Sequence, residues 1–322
     1  MIDKIEAKPC GTNGAMGKKC TFSLLLAIIF SAGMGGCGGG GGGGSHGSGT
    51  ESTTSSTAAP EAASRPPNVL LIMADDFNHW LPEIHYYSAA QTPHLSRLAE
   101  SAVLFSDTSA VSPHCAPSRQ SFWSGLKPQT TGIDSHDSPY IRNVDGFSDV
   151  VTMNQFFKAN GYYTYGGGKL YHNDSMGPAQ TDPDNWSELY RGPTGTPEGT
   201  VDRWSAERIR WGAFTTGADS ADETRLARHF AEKVRDYAGE QPFFFAIGLV
   251  RPHMPWYAPV EFFDLYAQEQ LPLPPGYLES DLEDIAGSKA SERFGAILQA
   301  GKWREGLRAY LANLSYADYN VG

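Results

Sequence analysis

The sequence has few cysteines, no excess of positive charge and no apolar run long enough to cross a bilayer. Its formal net charge of −11 argues against a nucleic-acid partner, because such a partner favours a protein with a basic face. An acidic exterior also gives a polyanionic ligand no long-range attraction. Such a ligand would therefore have to be bound by local cations in a cleft. The sequence contains no internal repeat.

The N-terminal segment, residues 1–37, is predicted to be a signal peptide. Its apolar stretch from Thr21 to Ala32 is too short for a permanent membrane helix and is typical of the hydrophobic region of a signal peptide. The segment ends in Met34-Gly35-Gly36-Cys37, which resembles a bacterial lipobox with Met in place of the commoner Leu. We therefore expect an exported protein of the bacterial cell envelope, either periplasmic or an outer-membrane lipoprotein, held at the membrane by lipid on Cys37. An ordinary cleaved signal, with Cys37 left in a disordered leader, is the alternative.

The Gly/Ser-rich residues 38–65 are predicted to form a disordered tether, and residues 66–322 a single domain with a sizeable core. Of the four cysteines, Cys10, Cys20 and Cys37 precede this domain, which leaves Cys115 alone within it. The domain therefore has no internal disulfide framework. A single leftover cysteine in an exported domain either carries a free thiol or uses its sulfur for chemistry.

Apolar runs and helical periodicities alternate along residues 66–322. The predicted strands are Asn68–Met73, Val103–Phe105, Tyr162–Tyr165 and Phe243–Val250. The predicted helices are one that begins at Thr92-Pro93, a short one over Pro117–Trp123 before Gly125, Val151–Asn160 before Gly161, Asp222–Ala238 before Gly239, and Lys302–Gly322. This alternation favours an α/β fold with helices on both sides of a sheet.

Two adjacent carboxylates, Asp75 and Asp76, follow the first predicted strand. In open α/β sheets, ligands bind beyond the carboxyl ends of the strands. Adjacent carboxylates are costly there unless a cation or hydrogen bonds neutralise them, and a hard cation such as Ca²⁺ prefers oxygen ligands. The alternative is a solvated acidic pair at the start of a loop.

Cys115 is predicted to lie at the N-terminus of a short helix, after a loop rich in Ser, Pro and His. Pro117 fits the first helical turn because its missing N–H is not needed there. Backbone N–H groups and the helix dipole favour an anion at this end, and Arg119 lies one turn further on, within reach of the same place. The alternatives are a buried structural cysteine and an activated thiolate nucleophile.

Five motifs follow one another along residues 66–322. They are Asn68–Leu70 with Ala74-Asp75-Asp76, Thr92–Ala99, Cys115-Ala116-Pro117-Ser118-Arg119 with Ser124-Gly125, Gly168–His172, and Arg251–Trp256. The first three resemble motifs of the type I, formylglycine-dependent sulfatases. The last two are most similar to the iduronate-2-sulfatase branch of that family. The resemblance extends over nearly the whole of residues 66–322.

The resemblance implies an alkaline-phosphatase-like fold, in which helices sandwich a mixed, largely parallel sheet. It also implies that a formylglycine-generating enzyme converts Cys115 to formylglycine, and that Asp75, Asp76 and residue 115 hold Ca²⁺. One hydroxyl of the hydrated formylglycine would attack sulfur and expel the alcohol. Loss of a proton from the other hydroxyl would then release sulfate and restore the aldehyde, whereas a plain hydroxyl or thiol would leave a slowly cleared sulfated enzyme.

Four further catalytic roles are implied by the same resemblance. Arg119 would hydrogen-bond the hydrated formylglycine, and Lys169 would hold the sulfate as a point charge. His172 is similar to the residue that takes the proton in the elimination step, and His253 to the residue that binds sulfate and assists the leaving group. For each histidine, the alternative is an ordinary loop residue.

The motif pattern of the family is incomplete in this sequence. In the family, the helix that corresponds to Lys302–Gly322 precedes a strand ending in Asp-His or Asp-Asn, which completes the calcium site, and then a catalytic lysine. The sequence ends before both. We therefore expect residues 66–322 to be the N-terminal portion of a sulfatase catalytic domain with its C-terminal part missing, and we expect the 322-residue polypeptide to be poorly active.

The leading functional hypothesis is that of a sulfuric ester hydrolase acting on a sulfated sugar or polysaccharide, such as a 2-O-sulfated uronic acid unit in glycosaminoglycan degradation. One alternative is a phosphonate or phosphate monoesterase on the same scaffold, since tetrahedral anions share charge and shape. A second alternative, from a different functional class, is a truncated surface lipoprotein that binds sulfated glycans without cleaving them.

Overall fold

The computed structural model describes residues 28–29, 66–172, 182–193, 201–206, 209–278, 280–285 and 287–322. The predicted tether, the lipobox at Cys37 and nearly all of the predicted signal peptide lie outside the described residues. Within the described ranges, no helix is both long and apolar enough to cross a membrane.

The strands and helices have the following bounds. The strands are β1 (Ile28–Ile29), β2 (Val69–Asp75), β3 (Tyr163–Gly168), β4 (Glu188–Leu189), β5 (Val201–Ala206), β6 (Ile209–Phe214), β7 (Phe243–Pro252) and β8 (Trp256–Pro259). The helices are α1 (Pro93–Ala99), α2 (Cys115–Ser124), α3 (Pro128–Thr131), α4 (Met153–Ala159), α5 (Asp222–Arg235), α6 (Val260–Asp264), α7 (Lys289–Gln299) and α8 (Trp303–Val321).

The main sheet has the strand order β1-β2-β7-β3-β4. β2, β7, β3 and β4 are parallel to their neighbours, and β1 pairs antiparallel with β2. The two β1 residues belong to the stretch predicted as the hydrophobic region of a signal peptide. Because β2, β7 and β3 run in the same direction, the residues that follow them meet at one edge of the sheet.

The apolar side chains of β7 explain its central position. Phe244 and Ala246 pack on one face of the sheet with Trp123 of α2 and Phe157 of α4. The alternate residues of β7 pack on the other face with α5. A strand buried on both faces is typical of a parallel sheet covered by helices, so the predicted α/β class is confirmed.

A second, smaller sheet has the order β5-β6-β8 and was not predicted from the sequence. β5 and β6 pair antiparallel, and β6 pairs parallel with β8. Tryptophan rings line its face, with Trp204, Trp211 and Trp256 in sequence and centroid distances of 4.4 and 6.1 Å. α8 packs on both sheets, because it contacts β7, β8 and β6.

One predicted strand and the predicted end of one helix were wrong. Val103–Phe105 forms no strand, and Val103 and Phe105 are 80% and 73% exposed. An apolar triplet favours burial, but a strand also needs a neighbouring strand for its backbone hydrogen bonds. None of the described strands pairs with this segment. α5 ends at Arg235 rather than at the predicted Ala238, and the N–H of Asp236 bonds the carbonyl of Glu232.

Helix α1 begins at Pro93 as predicted, but the expected side-chain cap from Thr92 is not formed. The Thr92 hydroxyl donates to Glu83 Oε1 at 2.8 Å instead. The α1 N-terminus is capped by Asp318 of α8, whose carboxylate accepts the backbone N–H groups of His94 and Leu95 at 3.1 and 2.7 Å. A carboxylate at a helix N-terminus accepts hydrogen bonds from N–H groups that have no partner within the helix, and its negative charge interacts favourably with the helix dipole.

Candidate active site

The carboxyl ends of β2, β3 and β7 and the N-terminus of α2 surround one place on the sheet edge. Asp75 ends β2, Lys169 directly follows β3, and His253 directly follows β7. Cys115 is the first residue of α2. One ligand atom from each of Asp75, Cys115 and His253 lies within 4.8 Å of the others.

The floor of this site consists of three buried charged side chains, Asp75, Arg119 and Lys169, which are 5%, 0% and 8% exposed. Lys169 Nζ forms an ion pair with Asp75 Oδ2, and Arg119 lies 3.4 Å from Asp75 Oδ1. Burial alone would raise the pKa of Asp75. The charges of Arg119, Lys169 and His253 outweigh burial and lower that pKa to about 2, so Asp75 is a carboxylate at neutral pH.

Two glycines allow the backbone to place Lys169. Gly168 ends β3 with a φ of 74°, in the left-handed region that favours glycine, and this turns the chain out of the strand. A Cβ on Gly248 of β7 would lie 2.1 Å from the carbonyl oxygen of Lys169, which leaves no room for any side chain. The same carbonyl accepts a hydrogen bond from Arg119, so α2 and the end of β3 are joined at the floor.

Arg119 is held by α2, in which Trp123 lies one turn further on. The Trp123 indole donates to the carbonyl of Leu170 at 2.9 Å, which makes a second bond between α2 and the segment after β3. Two of the three guanidinium nitrogens of Arg119 are buried and make no hydrogen bond to other described residues. One of these two, Nη2, still lies 3.4 Å from Asp75 Oδ1, so Nε is the nitrogen that lacks a partner among the described residues. A buried N–H without an acceptor is costly, so this guanidinium is suited to an anionic ligand.

Asp76 has an unusual backbone conformation, with a φ of 60°. The buried Tyr310 of α8 stabilises this turn with two hydrogen bonds. Its hydroxyl donates to the Asp76 carbonyl at 3.1 Å and accepts the N–H of Asn78 at 3.0 Å. Burial raises the pKa of Asp76, His253 opposes this, and the charge of Asp75 adds to it. The side chain remains 37% exposed and lies 4.0 Å from His253 Nε2.

Cys115 is half-buried and is a free cysteine. Burial raises the pKa of its thiol to about 11, and the carboxylate of Asp75 adds to this effect, although Lys169 opposes it. The thiol is therefore protonated at neutral pH. An activated thiolate needs a lowered pKa, so this environment disfavours the thiolate alternative.

His253 is oriented by its own loop. Its Nδ1 donates to the carbonyl of Met254 at 2.5 Å, and its Nε2 lies 4.0 Å from Asp76 Oδ2. The start of this loop is held by helix α5, because its buried Glu223 accepts the N–H of Arg251 at 3.0 Å. The imidazole therefore presents one defined nitrogen to the site.

Histidines form the rim of the site: His114, His136, His172 and His253. The rings of His114 and His136 stack at a centroid distance of 4.9 Å, and His136 lies 4.6 Å from His172. Burial lowers the pKa of His136, and the charges of His114, Lys169 and His253 lower it further, although Asp137 opposes them. Sequence reasoning did not find His114 or His136. The position of His114 next to Cys115 was an available signal, whereas nothing in the sequence marked His136.

The donor atoms fit a hard cation if position 115 carries oxygen. Asp75 and Asp76 supply carboxylates, but a thiol at 115 is a soft donor that Ca²⁺ does not favour. Formylglycine would replace this sulfur by oxygen and give three adjacent hard donors. Ca²⁺ takes about six to eight oxygens, so the described residues supply part of its coordination shell.

Comparison with known proteins gives a consistent result. The sequence profile of the family described as Sulfatase matches residues 67–322. A protein named Sulfatase from Formosa agariphila is 34% identical over 281 residues, which cover 80% of this chain and 54% of that protein. Iduronate 2-sulfatase of Homo sapiens is 30% identical over 302 residues, which cover 79% of this chain and 50% of that protein. The chain spans about half the length of the curated relatives it matches.

A solved structure shares the fold. The phosphonate monoester hydrolase of Agrobacterium radiobacter superposes with a TM-score of 0.58, over 80% of this chain and 58% of that chain. The sequences are 17% identical, so this likeness concerns the fold alone.

Proposed function

The chain belongs to the sulfatase family, and on that premise we propose that it hydrolyses sulfate esters through residue 115. The single observation that carries the proposal is the meeting of Cys115, Arg119 and Lys169 at the N-terminus of α2. Backbone N–H groups, a guanidinium with buried unbonded nitrogens and an ammonium group converge there on one small volume. This arrangement suits a compact tetrahedral oxyanion whose negative charge grows during the reaction.

The nucleophile is proposed to be formylglycine, formed from Cys115 by a formylglycine-generating enzyme. A protonated, half-buried thiol is a poor nucleophile, whereas a hydrated aldehyde supplies a hydroxyl for attack and a second hydroxyl that allows sulfate to be released. Ca²⁺, when bound by Asp75, Asp76 and residue 115, would supply positive charge to the sulfuryl oxygens.

The other side chains act on the substrate directly. Arg119 donates to the oxygens at position 115, and Lys169 holds a sulfuryl oxygen as a point charge. With Nδ1 fixed on the Met254 carbonyl, His253 in its imidazolium form is proposed to protonate the leaving alcohol through Nε2. His172 is proposed to take the proton when sulfate is released.

The substrate is proposed to be a sulfated sugar, such as a 2-O-sulfated uronic acid. The support is the 30% identity to a protein named iduronate 2-sulfatase.

We further propose that the protein is exported and attached to a membrane of the cell envelope through Cys37. Metabolic labelling with a palmitate analogue tests this: an unlabelled mature protein would exclude the anchor.

The function is tested with the full chain, expressed in a host that matures its own sulfatases, and with the variant Cys115→Ala. Mass spectrometry of the peptide that carries residue 115 should show an aldehyde in place of the thiol. Turnover of an aryl sulfate should exceed turnover of the matched phosphate ester, and the variant should have neither activity. An unmodified thiol together with no sulfate release would contradict the proposal. Faster cleavage of the phosphate ester would favour a phosphatase.

A further inference from the structure

The unconverted form of the site contains a second, chemically different set of metal donors. Asp75, Cys115 and His253 offer one carboxylate oxygen, one sulfur and one imidazole nitrogen, all within 4.8 Å of one another. Oxygen, sulfur and nitrogen together are a donor set typical of Zn²⁺, and not of the oxygen-preferring Ca²⁺. A catalytic-type zinc site has three protein ligands and one open position, which matches the number found.

We propose that, in folded chains that keep the Cys115 thiol, Asp75, Cys115 and His253 form a binding site for Zn²⁺, and that the formylglycine form lacks this site. This proposal does not depend on the hydrolase activity, since it concerns the thiol form of the protein.

The orientation of His253 is an independent observation that points to a metal. Metal-binding histidines nearly always donate their second ring nitrogen to a carboxylate or backbone carbonyl, which fixes the tautomer. His253 Nδ1 makes this bond to the Met254 carbonyl at 2.5 Å, which leaves Nε2 as the ring nitrogen available to a metal. One ring nitrogen of His253 lies within 4.8 Å of the ligand atoms of Cys115 and Asp75. Asp75 is fixed in a similar way by Arg119 and Lys169.

The distances permit coordination after a small movement. Bonds of about 2.0–2.3 Å place two ligand atoms of one tetrahedral Zn²⁺ roughly 3.5 Å apart. The three donor atoms lie within 4.8 Å of one another, so they must approach each other by up to about 1.3 Å. Cys115 and His253 are half-buried rather than enclosed, so both side chains can make this adjustment and the ion has an entry path.

The step balances in charge and protons. Zn²⁺ forms a bond to Cys115 Sγ, and the thiol proton is released to solvent, because a coordinating thiol is deprotonated outright. The thiolate offsets one of the ion's two positive charges, and the Asp75 carboxylate is shared between the ion and its partners Arg119 and Lys169. No oxidant or reductant is needed. Conversion removes the sulfur, leaves no thiolate and therefore removes the ligand that makes the site selective for a soft metal.

The test uses the full chain in its thiol form, produced in a host without a converting enzyme and verified by mass, with Co²⁺ as the spectroscopic substitute for Zn²⁺. One equivalent of Co²⁺ should give a thiolate-to-metal charge-transfer band in the near ultraviolet, and Zn²⁺ should displace it. Cys115→Ser should abolish the band. His253→Gln should weaken Co²⁺ binding by about tenfold or more, as expected for loss of a ligand.

Three cysteines outside the domain and the neighbouring histidines provide the controls. Cys10, Cys20 and Cys37 remain in every variant, so the difference spectrum between the parent and Cys115→Ser reports Cys115 alone. His136→Asn removes a nearby histidine that is not in the donor set, and it should leave the spectrum unchanged. Zn²⁺ should also protect Cys115 from alkylation by iodoacetamide, and Ca²⁺ should not.

Either of two results would overturn the inference: a parent spectrum without the band, or a band of equal strength in Cys115→Ser. These results leave the hydrolase proposal unaffected, because that proposal is judged by conversion of Cys115 and release of sulfate. Conversely, an inactive protein whose thiol form binds Co²⁺ through Cys115 and His253 would support the zinc site alone.

Discussion

The floor and the rim of the candidate site have opposite physical characters. The floor holds Asp75, Arg119 and Lys169, all nearly inaccessible to water and bonded to one another. The rim consists of imidazoles that remain in part exposed; the His253 side chain, for example, is 28% exposed. A buried charge depends on its partners for stability, whereas a half-exposed imidazole is solvated in either state. Changes to the floor should therefore affect folding and chemistry together, and changes to the rim should leave folding largely unaffected.

The sharpest contrast is expected from Arg119→Met. The change removes one partner of a buried carboxylate and leaves Asp75 with Lys169 alone, so the free energy of unfolding should fall by about 3 kcal/mol. The matched control is Arg235→Met, which removes an exposed arginine paired with Asp236 and should leave the denaturation midpoint unchanged. Urea denaturation measures both variants. Equal midpoints for the two would show that the floor is not an energetically special region.

Acid titration tests the floor without altering its shape. The pKa of Asp75 in the folded protein, about 2, lies below its ordinary value of 3.8. The carboxylate therefore stabilises the fold above pH 4, and this stabilisation, about 2 kcal/mol, is lost as the pH falls toward 2. Other carboxyls have raised pKa values and act in the opposite direction, so the parent must be compared with Asp75→Asn across pH 2–6. The two curves should converge at the acid end, and parallel curves would contradict the ion-pair account.

Tyr310 supports the turn at Asp76, the residue after the floor residue Asp75. Tyr310→Phe should lower the free energy of unfolding by about 1 kcal/mol, because the hydroxyl is lost. Tyr316 of α8 is the matched control, since its buried hydroxyl bonds Thr224 at 3.1 Å, away from Asp76. Both variants should lose similar stability. Amide exchange of Asn78 should accelerate only in Tyr310→Phe, because that N–H loses its acceptor. Equal acceleration in both variants would mean that Tyr310 has no local role in the turn at Asp76.

Two of the three floor residues, Asp75 and Arg119, were easier to predict from the sequence than the rim, and the reason is local. Asp75 follows an uninterrupted apolar run, and Arg119 lies one helical turn after Cys115, so short-range patterns placed both. Lys169, His172 and His253 carry no local signal, and only the resemblance to a family indicated them. His136 belongs to a loop, and its position beside His172 depends on contacts that sequence periodicity does not encode.

The same limit explains the errors and omissions in the fold. The parallel strands were predictable, because burial on both faces produces continuous apolar runs such as Phe243–Val250. The sheet β5-β6-β8 was missed, since its strands β5 and β6 contain no continuous apolar run and are stabilised by tryptophan contacts with α8. Val103–Phe105 was misassigned for the opposite reason: it has strand-like residues but no strand beside it.

The smallest expected effect on stability, and the most selective effect on function, comes from His136→Asn at the rim. The side chain is part-exposed and touches the imidazoles of His114 and His172, so the free energy of unfolding should change by no more than about 0.5 kcal/mol. In the proposed function the floor cations hold the sulfate group, so an imidazole at the rim would contact the sugar rather than the sulfate. In a converted protein, kcat/KM for a sulfated uronic acid should therefore fall more than kcat/KM for an aryl sulfate. His85→Asn, at an exposed histidine, serves as the control and should change neither rate. Equal losses on both substrates would place His136 with the floor, in the chemistry common to all sulfate esters.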